Sequence, residues 1–299
     1  MGVQLSLWAQ MKPTLLIILG QTSTGKSDFA VSLAKYLYKT EKIHCEIVSA
    51  DSRQVYKELN LLSGKIREKE MRGIPHHLLS LYSAQRNFSV AMFQKKAHRT
   101  IGEIIARGNL PILVGGTGFY IQSIVDGIVF PEVKKNKTLR KELEQKTTDE
   151  LILLLKKKDP NRLKEIDISN RIRLIRALEI AICLGKIPII KKNPKYTTAQ
   201  IGLTMSDEVL RTRIQKRLLK RIKQGMLEEA QSIHENAHIS YRRMAELGLE
   251  SKYSALYLQK KITKENLIAE LETKIWQYAR RQRTWFRKDS RIHWIHLEN

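Results

Sequence analysis

The sequence predicts an α/β protein: a doubly wound parallel sheet built on a P-loop core, with an inserted helical subdomain. Three observations predict it. The apolar run "TLLIIL", 14–19, leads directly into "GQTSTGKS", 20–27, which has the glycine, four variable residues, Gly-Lys and hydroxyl residue of a phosphate-cradling loop. Short apolar runs then alternate with stretches of helical spacing, the arrangement that pairs strands in parallel. Finally, residues 134–192 are rich in Lys, Glu and Leu with helical periodicity and little β-branched alternation, the texture of a separate helical piece.

The elements follow in order. Residues 14–19 read as a buried strand closed by Gly20, and Phe29, Ala30, Leu33, Ala34 and Leu37 recur at helical spacing behind the loop. "CEIVSA", 45–50, is a second buried strand ending at Asp51. Phe88 to Arg107 reads as a helix that begins after Asn87 and is closed by Gly108. Pro111 to Val114 is a third strand, ending in "GGTG", 115–118. "AQIGLTM", 199–205, returns to the sheet, and a basic helix follows that is interrupted near Gly225. Thr263 caps a last long helix running to about Lys288, and "RIHWIHL" is a short final strand. The expected division is 12–125 for the first part of the core, 126–196 for the insertion and 197–299 for the second part of the core with basic helices.

The chain has 299 residues, 42% of them hydrophobic, enough for a sizeable core. Lys and Arg number 54 against 30 Asp and Glu, a net charge of +24, which points to a polyanionic partner and to nucleic acid first. Cys45 and Cys183 both lie in apolar stretches and are expected to be buried free thiols, as in a reducing compartment; no Cys/His cluster argues for zinc. No apolar run has the length of a membrane span, and no secretory signal is evident. "MGVQLS" matches a short lipidation pattern and is read as chance. The expectation is a cytoplasmic protein with no membrane partner and, lacking a long apolar seam, a monomer.

Ligands of doubly wound sheets gather at the carboxyl ends of the strands. The phosphate loop, Asp51 and Gly115–Gly118 each follow a strand, so they are expected along one edge. Gly20, Gln21, Thr22, Ser23, Thr24, Gly25, Lys26 and Ser27 form the loop, with Lys26 as a point charge for phosphate and Ser27 as the candidate ligand for Mg²⁺. Asp51 is the one acidic residue that ends an apolar strand near the loop; it either holds metal or takes a proton. On the last helix Arg280, Arg283 and Arg287 fall on one face with Tyr278, Trp285 and Phe286 interleaved, a pattern of phosphate-backbone contact. Arg213, Arg217 and Arg221, with Lys220, form a second basic stripe.

"GQTSTGKS", "SADSRQVYK", "GIPHHLL", "FSVAMFQ", "PILVGGTGFY", "NRIRLIRALEI" and "RRQRTWFR" occur in this order, and together they resemble the tRNA dimethylallyltransferases (tRNA isopentenyltransferases) from about Thr14 to Trp294. The resemblance implies that the loop, Gly20 to Ser27, cradles the diphosphate of dimethylallyl diphosphate. The dimethylallyl group would pass to the exocyclic amine of adenosine 37 in the anticodon stem-loop of tRNA. It implies Asp51 as general base and Thr117 and Arg217 near the reacting groups. It implies tRNA contact through Asp51, Ser52, Arg53, Gln54, Thr117, Arg173, Arg176, Arg280, Arg281, Gln282, Arg283, Thr284, Trp285, Phe286 and Arg287. Two stretches depart from the family pattern. "LSGKI", 62–66, replaces Gly-Thr-Ala-Lys-Pro, with Ser63 keeping the hydroxyl and Lys65 the charge. "GLE", 248–250, places Leu249 and Glu250 where the family carries Gly-Tyr and a basic residue. No C-terminal zinc-finger pattern follows, so the resemblance is to the bacterial type.

Overall fold

In the computed structural model, which describes residues 14–297, six parallel strands organise the chain. Strand β1 (Leu15–Gly20) is buried throughout. Alternate side chains of a strand point to opposite faces. Leu15, Ile17 and Leu19 therefore join one apolar cluster and Leu16 and Ile18 another, on the other side of the sheet. A strand apolar on both faces must lie between two helical layers. Helix α1 (Lys26–Glu41) covers one face with Ala30, Val31 and Ala34. Strand β2 (Cys45–Ser49) is followed by the short helix α2 (Glu68–Met71) and by β3 (His76–His77), a two-residue edge strand too short to show a period in sequence.

Helix α3 (Val90–Ala106) starts after Ser89, whose hydroxyl accepts the N–H of Met92 at 3.3 Å, two residues later than the sequence start signal at Asn87. It buries Phe93, Ala97, Ile101 and Ile104 against the face opposite α1. Strand β4 (Leu110–Gly115) leads into α4 (Gly118–Val125). The chain then forms α5 (Lys137–Gln145), α6 (Thr148–Lys158), α7 (Pro160–Glu165) and α8 (Arg171–Leu184). After these come β5 (Thr198–Thr204), α9 (Asp207–Lys223), α10 (Met226–Glu235), α11 (Tyr241–Glu246), α12 (Leu249–Leu258), α13 (Lys264–Phe286) and β6 (Ile292–His296). The order across the sheet is β3-β2-β4-β1-β5-β6, with every pairing parallel.

Helices α9 to α13 pack on one another around a cluster that includes Leu210, Ile214, Leu218, Leu267, Leu271 and Ile275. The chain forms two compact units: residues through Gly127 together with those from Pro194, and Ile128–Asn193. The second unit closes on its own cluster of Leu143, Leu151, Leu155, Leu174 and Leu178. Inside that unit the carboxylate of Glu179, 1% exposed, accepts hydrogen bonds from Arg140, Arg176 and the N–H of Asn136. Burial alone would raise its pKa, but these donors hold it down at about 2.

One of the two thiols differs from expectation. Cys45 is buried, and burial pushes its pKa up to about 12; Cys183, near the end of α8, is exposed because the short unit leaves one face of that helix in water. Among the described residues no helix is long and apolar enough to cross a membrane, and "MGVQLS" lies outside them.

Candidate active site

The phosphate loop turns from β1 into α1 through Gly25, whose φ of 87° is left-handed, a conformation glycine takes without cost. The carbonyl of Gln21 gathers the loop inward: it accepts the hydroxyl of Thr24 at 2.9 Å and Nζ of Lys26 at 2.5 Å. Burial and the nearby charge of Arg217 push the Lys26 ammonium down to about 7, while the carboxylate of Asp51 acts in the opposite direction.

Asp51 follows β2 by two residues. Its Oδ1 accepts the backbone N–H groups of Arg53 at 2.7 Å and Gln54 at 3.2 Å, so one oxygen closes a turn and fixes the carboxylate. The N–H of Ser52 donates to Thr117 Oγ1 at 3.3 Å, which brings the loop after β4 beside the loop after β2. Tyr278 of α13 completes this side. Burial and then the charge of Asp51 push its phenol up to about 12.

Arg217 enters from α9. Its Nη2 donates to Gly64 O at 3.2 Å, and Arg221, one turn on, donates to Leu61 O at 3.1 Å and to the carboxylate of Glu250 at 2.8 Å. Burial, and then the adjacent charge of Arg221, lower the pKa of Arg217. The segment these guanidiniums hold, 60–66, contains the unusual 62–66 stretch. Glu229 accepts three of its backbone N–H groups, from Asn60, Leu61 and Leu62. Ser63 donates to Leu59 O at 2.6 Å, and Lys65 donates to Tyr56 O, Asn60 Oδ1 and Ser80 Oγ. The hydroxyl and the charge that the sequence reading kept there therefore hold the loop itself.

These groups enclose a cavity of about 340 Å³ lined by the phosphate loop, Asp51, Gln54, Arg217, Arg221 and Tyr278 among others. Arg213 and Lys220 line it as well, so the second basic stripe faces this cavity. The i, i+4, i+8 spacing of Arg213, Arg217 and Arg221 carried that signal. Glu229 gave no signal, because its partners are backbone groups far away in sequence.

The stretch 280–287 divides. Arg280, Arg281, Thr284, Trp285 and Arg287 are exposed. Trp285 meets Phe119 edge to face, with ring centroids 6.4 Å apart. Arg283 turns onto Asp207 at the start of α9, so it does not form a free row with Arg280 and Arg287. Phe286, 3% exposed, packs into the sheet core, and Gln282 is buried against the phosphate loop. Both were expected at a nucleic-acid surface; the helical period instead turns them inward in register with Ile275 and Ala279. In the second unit Arg173 is exposed, 3.8 Å from Asp167, whereas Arg176 is held by Glu179 and Val133 O. Ser52, Arg53 and Gln54 are half-buried around Asp51.

Fold and site together define an α/β protein of parallel sheet topology with a cationic cavity beside the 20–27 loop. A model of the family described as IPP transferase matches residues 54–289. The chain is 37% identical over 292 residues to the tRNA dimethylallyltransferase of Anoxybacillus flavithermus, covering 96% of this chain and 91% of that one. It is 40% identical over 294 residues to tRNA dimethylallyltransferase 2 of Treponema denticola, covering 95% and 96%. Among solved structures, the full-length tRNA isopentenylpyrophosphate transferase of Bacillus halodurans matches with a TM-score of 0.70 at 34% identity, over 94% of this chain and 89% of that one. A eukaryotic dimethylallyltransferase acting on tRNA matches with a TM-score of 0.80 at 25% identity, over 94% and 73%. The chain belongs to the IPP transferase family.

Proposed function

We propose that the protein transfers the dimethylallyl group of dimethylallyl diphosphate to the exocyclic N6 amine of adenosine 37 in the anticodon stem-loop of tRNA, giving N6-dimethylallyladenosine and diphosphate. The observation that carries this reading is the meeting of a phosphate loop, a fixed carboxylate and the guanidiniums of Arg217 and Arg221 in one cavity of a chain of this family. A tRNA substrate assigns the reaction to the cytoplasm.

The roles follow from the chemistry. Lys26, Arg217 and the N–H groups at the start of α1 bind the diphosphate and stabilise the charge that gathers on it as the C–O bond breaks. The adenine amine is a poor nucleophile because its lone pair is delocalised into the ring. Asp51 takes a proton from it as the N–C bond forms, and Thr117 orients the amine. The turn that fixes Oδ1 supports this role, since it leaves Oδ2 as the carboxylate oxygen for the amine. The base must leave its stack to enter the cavity, at a cost of a few kcal/mol, and phosphate contacts by Arg280, Arg281 and Arg287 offset that cost.

Among the described residues no group of three His, Cys, Asp or Glu gathers to cage a metal. Mg²⁺ does not need one: it is ordinarily held by one or two carboxylates, or in a phosphate loop by its Ser or Thr hydroxyl, together with substrate phosphates and water. The hydroxyl of Ser27, which lines the cavity with Asp51, fits that demand. When bound there, Mg²⁺ would neutralise charge on the leaving diphosphate.

Incubation with labelled dimethylallyl diphosphate and unmodified tRNA tests the proposal. Label on the adenosine beside the anticodon is the expected result, and label on free adenine nucleotides but not on tRNA would overturn it.

A further inference from the structure

Gln282 of α13 is only 6% exposed, and both ends of its carboxamide are engaged. Its Oε1 accepts the N–H of Thr22 in the phosphate loop at 2.8 Å, and its Nε2 donates to the carbonyl of Gly116, after β4, at 2.8 Å. The partners are a backbone donor and a backbone acceptor, so the orientation of the amide is forced. One turn earlier on the helix, the carbonyl of Ala279 accepts Nε2 of Gln21 at 3.3 Å. Helix α13 thus holds two consecutive residues of the phosphate loop and, through Gln282, ties that loop to the one carrying Thr117.

We infer that Gln282 is a positioning residue for the phosphate loop: its carboxamide sets the spacing between the loops after β1 and β4, and so the shape that receives the donor's diphosphate. This rests on the reading above that the loop takes the diphosphate. It also separates Gln282 from its neighbours in sequence. Arg280 and Arg281 are exposed on the same turn and suit tRNA contact, whereas the side chain of Gln282 faces the interior.

The residue type follows from the two partners. Only a side chain with an acceptor and a donor at fixed spacing bridges an N–H and a C=O. Methionine matches the length and offers neither bond. Glutamate would set a carboxylate against the Gly116 carbonyl and place negative charge beside a bound anion. The site is tight from the other side too: a Cβ at Gly116 would lie 2.4 Å from Gln282 Nε2. That atom ends a flexible side chain, so Gly116→Ala pushes the carboxamide away rather than breaking the backbone. Two substitutions therefore reach the same pair of hydrogen bonds from opposite directions.

The test is calorimetric titration of inorganic pyrophosphate into the wild-type protein, Gln282→Met and Gly116→Ala, with tRNA affinity measured alongside by filter binding. Both variants are expected to bind pyrophosphate about tenfold more weakly, the effect of losing one or two hydrogen bonds, while tRNA affinity stays within about twofold. In turnover, KM for the donor should rise more than kcat falls. Should Gln282→Met fail to fold, Gly116→Ala decides alone. Unchanged pyrophosphate affinity in the folded variants, or a loss confined to tRNA, would overturn the inference while leaving the diphosphate reading standing. A wild-type protein that takes up no pyrophosphate would overturn both.

Discussion

Arg221 Nη2 and Glu250 Oε1 meet at 2.8 Å beside the cavity, with the guanidinium side chain 10% exposed and the carboxylate 20%. Glu250 is the acidic residue in a position where the family resemblance leads one to expect a basic one. It carries the counter-charge for a guanidinium that also holds Leu61 O and stands next to Arg217. Removing one partner of a fully buried pair costs about 3–5 kcal/mol, and water reaching Glu250, which is 20% exposed, offsets part of that. Glu250→Ala should lose about 1–3 kcal/mol of stability in urea unfolding. Glu250→Gln, which keeps an acceptor for Arg221, should lose less. Equal small losses in both would mean that the pair contributes nothing as a charge pair.

The arginines of α13 should separate into two kinds. Arg280 is exposed, whereas Arg283 pairs with Asp207 across the contact between α13 and α9. Arg280→Ala should weaken tRNA binding and lower its salt slope by about 0.9 or less, the share of one phosphate contact, with stability unchanged. Arg283→Ala should lower the unfolding midpoint and leave the slope nearly intact. A salt slope that falls equally in both would restore Arg283 as a phosphate contact.

The contrast between these arginines shows where sequence reading stops. The strand, loop and helix around "GQTSTGKS" were legible because a run apolar on both faces and a glycine-bounded loop leave few alternatives. The convergence of Asp51 and Gly115–Gly118 followed from parallel topology. What was not legible was the direction of side chains on a helix packed on more than one side. Gln282 and Phe286 lie within an arginine-rich stretch, yet they face inward in register with Ile275 and Ala279. Strand β3 was missed because two residues, His76 and His77, show no period. The anchoring of residues 59–65 by Glu229 and Lys65 was missed because most of their partners are backbone groups.

Lys26 gives a pH dependence. Its pKa of about 7, against 10.5 ordinarily, means that the ammonium loses its proton as pH rises through neutrality. The neutral amine attracts a diphosphate less, so the advantage of wild type over Lys26→Met in pyrophosphate binding should shrink by up to about tenfold per pH unit above 7. Comparing the two proteins cancels the titration of pyrophosphate itself. A constant ratio from pH 6 to 9 would show that Lys26 stays charged throughout.

Glu46 on β2 should make the fold acid-sensitive. Burial alone would raise its pKa, but hydrogen bonds from Arg107, Asn109 and His77 hold it at about 2, below the ordinary 4.5. A depressed carboxylate contributes stability that is complete above the unfolded value and is lost as pH falls toward the folded one. The window is therefore pH 4.5 down to about 2. Glu46→Gln should be less stable at neutral pH, by on the order of a few kcal/mol, and the gap should close across that window. Denaturant unfolding at a series of acidic pH values measures it, and a gap independent of pH would assign the loss to packing.

Asp51→Asn separates the two chemical roles open to this carboxylate. The amide is nearly the same size, and its carbonyl oxygen still accepts from the N–H groups of Arg53 and Gln54, which donate to Oδ1 in the native turn. It does not take up a proton at neutral pH. If Asp51 is the base, the single-turnover rate should drop by about 10²–10⁴-fold while the dissociation constants for donor and tRNA move little. If the carboxylate mainly holds Mg²⁺, the variant should need more metal and recover part of its rate as Mg²⁺ is raised. Single-turnover rates at several Mg²⁺ concentrations therefore decide between them. Recovery with metal would sink the assignment as base, and a rate near that of wild type would sink both.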